Sequence, residues 1–138
     1  MDDMVEVVAT LLEKGADPNR LLKEDTSSGK PLQVAFMQRK INYEIIELLL
    51  KKGANPNIPG IALDGGTLLH DAIIASDESL IDLLLDYGAD PYLTNDNGDT
   101  AFALINQKIR SAKKRMAIKE IFKKHGYNTE HYIKKKIV

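Results

Sequence analysis

The sequence predicts an all-α repeat solenoid, a row of stacked helix-turn-helix pairs, and three observations carry that prediction. Nearly the same nine letters occur three times: LLEKGADPN at 11–19, LLKKGANPN at 49–57 and LLDYGADPY at 84–92. The glycines of these segments, Gly15, Gly53 and Gly88, together with Gly126 in the weaker EIFKKHGYN, stand 38, 35 and 38 residues apart. A helical sequence repeating at a fixed interval of about 33 residues marks a stacked array. Finally, the chain of 138 residues is 43% apolar but only 6% aromatic, so the core is expected to be Leu, Ile, Val and Ala, which suits close helix stacking.

Each nine-letter segment reads as the last turn of a helix and its stop, because glycine adopts the left-handed conformation at a helix C-terminus and the following proline forbids continuation. Upstream of the stops, apolar residues recur at three- and four-residue spacing and predict amphipathic outer helices at 4–14, 43–52, 79–87 and about 112–124. Shorter inner helices are predicted to open at GKPLQVAF (29–36), GTLLHDAI (66–73) and GDTAFALI (98–105), with Thr67 and Thr100 as N-caps. Gly-, Asn- and Asp-rich stretches between stop and cap suit reversing loops.

Short helix, turn, longer helix, GA[DN]xN and a loop leading to a [ST]PLHxA cap together resemble the ankyrin repeat, over about residues 4–127. The strongest match is Thr67, Leu69, His70, Ala72, Ile81, Leu84, Leu85, Gly88, Ala89 and Asp90. The cap erodes to Lys30-Pro31-Leu32-Gln33 in one unit and Thr100-Ala101-Phe102-Ala103 in the next, so those repeats are expected to be less regular. The resemblance implies antiparallel helix pairs with projecting β-hairpin fingers. It divides the chain into an ankyrin-repeat domain at 1–127, made of a half repeat (1–19) and repeats at 20–57, 58–92 and 93–127, and a basic tail at 128–138.

Departures from the period are expected to mark specificity, because insertions in a solenoid fall on loops of one face. The fingers before Lys30 and Thr67 exceed the one before Thr100 by three and two residues. Extra residues are likewise expected in the helix-to-helix turns of the second and fourth units. At the N-terminus, Met4, Val5, Val7, Val8 and Leu11 cover more of a helix than one neighbour can hide. Either the chain is a segment of a longer array, or the half repeat is covered by another copy or a partner; a monomer is the expectation.

The absence of cysteine excludes disulfides, a thiolate nucleophile and Cys-ligated zinc. No apolar run approaches the roughly 20 residues needed to cross a bilayer, and Met1-Asp2-Asp3-Met4 is acidic where a secretory signal is basic; a soluble, cytoplasmic protein is expected. No serine has a context supporting a triad. The resemblance makes His70, beside Asp71, a structural cap histidine. His125 and His131 are expected to be solvent-exposed, with no metal ligands around them. Asn95-Asp96-Asn97-Gly98-Asp99 opens like a calcium loop but carries Leu104 where the closing glutamate belongs. No enzyme, cofactor or metal is predicted.

The function implied by the resemblance is therefore protein binding, on a concave surface of fingers and inner helices. Mapped onto this chain, it comprises Thr26, Ser27 and Gly29, then Leu63, Asp64 and Gly66, then Asp96, Asn97 and Asp99, with Met37, Gln38, Ile74, Ala75, Gln107 and Lys108 on the inner helices. Met37 and Ile74 either form an apolar centre, rimmed by Asp64, Asp71, Asp96 and Asp99, facing a partner with a basic surface, or pack beneath the lengthened fingers. Charge is polarised along the chain: residues 1–100 hold 18 acidic and 8 basic side chains, residues 101–138 hold 2 and 11. Lys108, Arg110, Lys113, Lys114, Arg115, Lys119, Lys123 and Lys124 form either a solvated cap, a dock for an acidic protein, or an electrostatic site for nucleic acid or anionic membrane with Phe122, Tyr127 and Tyr132 as stacking groups. By the resemblance, too, Asn19 and Asn57 occupy positions that can be hydroxylated.

Overall fold

The computed structural model describes residues 3–20 and 29–129. Short and long helices alternate there as the punctuation predicts: α1 (Asp3–Glu13), α2 (Pro31–Phe36), α3 (Tyr43–Lys51), α4 (Leu68–Ile74), α5 (Glu78–Asp86), α6 (Ala101–Lys108) and α7 (Ala112–Lys124). None of these helices is long and apolar enough to cross a membrane. Thr26, Ser27, His131, Tyr132 and residues 130–138 of the basic tail lie outside the described residues.

The outer helices open on caps that the motif reading passed over. Asn42 Oδ1 accepts from the Ile45 amide (3.2 Å), Asp77 Oδ1 from Leu80 (3.1 Å) and Ser111 Oγ from Lys114 (3.3 Å), each satisfying a first-turn donor that has no partner inside its helix. Closure is the same in all four outer helices. At α5, Gly88 donates to Leu85 O (3.2 Å) and Ala89 to Leu84 O (2.9 Å), the paired bonds of a Schellman stop, with Gly88 at φ +92°. Ala54 and Ala89, one residue past their glycines, are buried and seal the stop with an apolar contact.

The chain divides into two compact units, Met1–Pro56 and Asn57–Val138. In the first, α1 and α2 both pack on α3, burying Val5, Leu32, Phe36, Ile46, Leu49 and Leu50 while Met4, Val7 and Leu11 stay exposed along α1. In the second, α4 packs on α5 and α6, and α7 on α5 and α6, around Leu68, Leu69, Ile73, Ile81, Leu84, Phe102, Leu104, Ile105, Ile118 and Phe122. Each such Leu or Ile contributes about 1.5–3 kcal/mol by leaving water. Aromatic rings matter more than composition implied, because all three phenylalanines are buried. Phe102 stacks on Phe122 (centroids 5.1 Å) and Tyr92 (5.6 Å), with Tyr127 edge-on to Tyr92 (5.9 Å).

Successive stops are joined by an asparagine amide. Asn19 Nδ2 donates to Gly53 O (2.9 Å) while its Oδ1 accepts from the Asn55 amide (2.7 Å). In the second unit Asn57 repeats the pattern on Gly88 O (3.2 Å) and the Asp90 amide (2.7 Å). These side chains thus serve as structural ties. The next position is Tyr92, and there the ring cluster takes over.

The five extra residues of the fourth unit lengthen its helices and not its turn: α6 has 8 residues against 7 in α4, α7 has 13 against 9 in α5, and both turns hold three residues, 75–77 and 109–111. Arg115 Nη1 closes the end of α6 by donating to Ile109 O (2.6 Å) and Arg110 O (2.9 Å). In the second repeat, at 20–57, the turn itself is longer, at 37–42. The expected β-hairpin character reduces, among the described residues, to one antiparallel bridge, Pro59 to Thr67; Pro59 has no N–H with which to extend a ladder there, and in the finger at 88–100 the Asn95 side chain takes the Asn97 and Asp99 amides.

His125 is not the exposed residue expected from its position. Its side chain is 13% exposed, with Nε2 2.7 Å from Asp82 Oδ1 and 3.6 Å from Asp86 Oδ1, and Lys124 Nζ reaches the same Asp82 oxygen at 2.7 Å. The Lys124 ammonium, then the His125 ring, holds the Asp82 carboxyl below its usual 3.8.

Removing the Asn57 amide by Asn57→Ala is expected to cost about 1–2 kcal/mol in urea unfolding, the penalty for two backbone groups losing their partner. A carboxyl whose folded pKa is depressed stabilises fully above its ordinary value and loses that contribution as the pH falls through the depressed value. Denaturation of wild type and Asp82→Asn should therefore give a stability difference that is present at pH 6 and shrinks once the pH drops below 3.8.

Candidate functional site

Within the second unit the predicted surface comprises the fingers at 58–67 and 88–100 with the inner helices α4 and α6. It is built around a buried imidazole. His70 sits one turn into α4, and its Nδ1 accepts from the Thr67 amide (3.0 Å), with Thr67 Oγ1 at 2.9 Å. Because Nδ1 accepts, the proton is on Nε2, which donates to Asp99 O of the following finger (2.9 Å). One ring therefore fixes its own cap and the neighbouring finger. With both nitrogens occupied and the residue 1% exposed, it is a structural tie, as the resemblance implied. In α2, Gln33 Oε1 accepts from the Lys30 amide (2.8 Å), so the eroded cap keeps the first of these bonds through an amide oxygen in place of the ring nitrogen.

The fingers are closed by side chains more than by strand pairing. Buried Asn95 accepts from the Asn97 (3.0 Å) and Asp99 (2.9 Å) amides through one oxygen. Asp64 Oδ1 accepts from Gly66 (2.9 Å), and the Asp64 carbonyl accepts from the Asp96 amide (2.7 Å), joining finger to finger. Gly65 lies between them at φ +73°, so close to the Asp96 carboxylate that a side chain there would collide with it.

Several expected surface residues are exposed on these supports. Ile74 (45%) and Ala75 end α4, Leu63 is fully exposed at its finger tip with Ile61 (43%) nearby in the chain, and Asp96, Asn97, Gln107 and Lys108 are exposed. Asp64 and Asp99 are half-buried, and Asp99 Oδ1 accepts from Gln107 Nε2 (3.2 Å). In the first unit Met37 (56%) and Gln38 are exposed at the end of α2, with the Gln38 amide folded back onto Val34 O (3.0 Å).

Asp71 departs from its expected place on a free rim. It is half-buried, and Oδ2 accepts from the Ile61 amide at 2.6 Å, holding the finger against α4. Burial, assisted by neighbouring Asp64, raises its carboxyl above the usual value despite the amides of Ile61 and Ala62. Sequence reasoning missed Asp71 as a finger tie because its partner lies ten residues upstream in a loop with no motif.

The basic segment is likewise partly committed. Arg115 closes α6 and Lys124 pairs with Asp82. Phe122, counted above as a stacking group, is fully buried, and Tyr127 is half-buried against it. Lys113, Lys114 and Lys123 remain exposed on α7.

Comparison with known proteins agrees with this architecture. A family model described as ankyrin repeats (3 copies) matches residues 1–95. A probable E3 ubiquitin-protein ligase, XBOS34 of Oryza sativa subsp. japonica, is 36% identical over 84 residues, covering 61% of this chain and 16% of that protein. A putative ankyrin repeat-containing protein of Treponema pallidum (strain Nichols) is 36% identical over 96 residues, covering 70% of this chain and 30% of that protein. Among solved structures, the ankyrin repeat domain of Bcl-3, described as a unique member of the IkappaB protein family, superposes with a TM-score of 0.63 at 30% identity, covering 86% of this chain and 46% of that one. The chain thus spans less than a third of these two curated relatives and under half of the Bcl-3 domain. Its thrice-written glycine stop, its buried cap histidine and its matched repeats place it in the ankyrin-repeat family.

Proposed function

We propose that this chain is a non-catalytic docking module that captures a protein with a basic face, using the fingers at 58–67 and 88–100 and the exposed ends of α4 and α6. Ankyrin repeats are protein-interaction modules and generally lack enzymatic activity. The observation that carries the finer reading is the placement of Ile74 and Leu63. Both are large apolar side chains open to water, on a helix whose start is capped by His70 and a finger whose backbone is held by Asp71 at Ile61, by Asp64 at Gly66 and by the Asp96 amide at the Asp64 carbonyl.

Apolar anchors on a pre-organised support lose little entropy on binding, and such residues dominate interface energies. Around them, Asp64, Asp96 and Asp99 give a local negative charge, which steers a cationic partner more than it tightens the final complex. Met37 and Gln38 present an equivalent helix end in the first unit. A role in nucleic-acid or anionic-membrane binding through α7 has less support, because Phe122 is buried and Arg115 and Lys124 are bonded within the protein.

Affinity capture with the full chain, followed by mass spectrometry, identifies the partner. Ile74→Asp combined with Leu63→Asp is expected to abolish that capture while the helical circular dichroism signal stays at the wild-type level. Capture should weaken as salt is raised, since exposed charges are screened over about 8 Å at physiological ionic strength. Capture that survives both substitutions moves the interface off this surface.

A further inference from the structure

We propose that Asp82, Asp86 and His125 form a binding site for a divalent transition-metal ion that pins α7 to α5. Asp82 and Asp86 lie one turn apart on α5, a spacing that puts both carboxylates on the same face. His125 is the C-cap of α7. One ligand atom from each converges with the others to within 4.8 Å. The site lies away from the finger surface and does not depend on the docking role.

Three features favour a cation here. Two carboxylates at this spacing repel each other unless positive charge lies between them. Asp86 is also the last residue of α5, which has no basic side chain in its final turn, and His125 ends α7; the negative ends of two helix dipoles therefore meet at the cluster. The distances, finally, are close to those of coordination. Zinc bonds to imidazole nitrogen and carboxylate oxygen of about 2.0–2.2 Å at tetrahedral angles set the ligand atoms about 3.3–3.6 Å apart. His125 Nε2 to Asp86 Oδ1 is already 3.6 Å, while the 2.7 Å to Asp82 Oδ1 opens by a small carboxylate rotation.

Nitrogen with two oxygens is a donor set that suits zinc and its neighbours in the first transition row. Three protein ligands leave a fourth position for water or for a side chain from another molecule. In the metal-free arrangement Lys124 supplies the positive charge by reaching Asp82. Its side chain is 60% exposed and free to swing into solvent, so the ion and the ammonium compete for one carboxylate.

That competition makes the site testable with zinc alone. Isothermal titration of the full chain with Zn2+ should show one ion per chain. His125→Ala and Asp86→Asn should each weaken binding by more than about 10-fold, a loss that even outer-shell changes reach, and Lys124→Ala should tighten it. In a long-range proton–nitrogen spectrum, Zn2+ should shift the His125 ring nitrogens and leave His70 unmoved. Asp86→Asn keeps the test decisive if His125→Ala unfolds, because Asp86 is 56% exposed and comes no nearer than 3.6 Å to the ring nitrogen, so its loss costs the fold little. Absence of zinc binding, or binding unchanged by Asp86→Asn, reduces the cluster to an ion pair and overturns the proposal.

Discussion

A single asparagine amide, bonded in both directions to the next helix stop, is the interaction on which repeat-to-repeat order rests in each unit. A stop glycine leaves a carbonyl without a helical partner, and the amide two residues on has none either. Asn57 gives a donor to the first at Gly88 and an acceptor to the second at Asp90. Few side chains carry both functions on one planar group of that length. In the first unit the Asn19 amide likewise ties the end of α1 to the end of α3, whose apolar faces pack on each other.

Where the asparagine is missing, other chemistry replaces it. Tyr92 joins Phe102, Phe122 and Tyr127 in a ring cluster, trading directional bonds for buried area and tilted ring contacts. Phe102 and Phe122 belong to the extended helices α6 and α7, so the extra residues of the fourth unit serve the same junction. In a stacked array each interface is a nearest-neighbour term, and within the second unit the Gly88 stop is secured by hydrogen bonds from Asn57 and the segment at Tyr92 by aromatic packing. Asp82, Lys124 and His125 add a polar clasp on the outer helices of that second interface.

The fold was legible because its punctuation is local. A glycine stop, a proline and an apolar face are each readable within one turn of chain, and the Gly15–Gly53–Gly88 spacing needed no knowledge of contacts. The caps Asn42, Asp77 and Ser111 were equally local, each a polar residue just before a helical run, and a closer reading of helix starts would have found them. What stayed hidden is what depends on register between distant segments. The ties made by Asn19 and Asn57 cannot be read locally because their partners lie 31–36 residues away. His125 meets Asp82 across 43 residues, and nothing in HGYN shows which way its ring turns. The finger surface was partly legible, since Ile74, Ala75, Leu63 and Asp96 are exposed as the family pattern implies. Asp71 was not, because an acid beside a loop looks the same on paper whether it faces water or accepts an amide.

The two-way amide also ties the protein's longevity to one covalent bond. Deamidation converts asparagine to a carboxylate, which still accepts from the Asp90 amide but meets the Gly88 carbonyl with a lone pair where a proton had been. The change adds a negative charge beside Asp90 and reverses one of the two bonds from attraction to repulsion, with no change in size. Chemical ageing at Asn57 therefore acts on the hydrogen bonding of the Gly88 stop and not on the packing of apolar side chains.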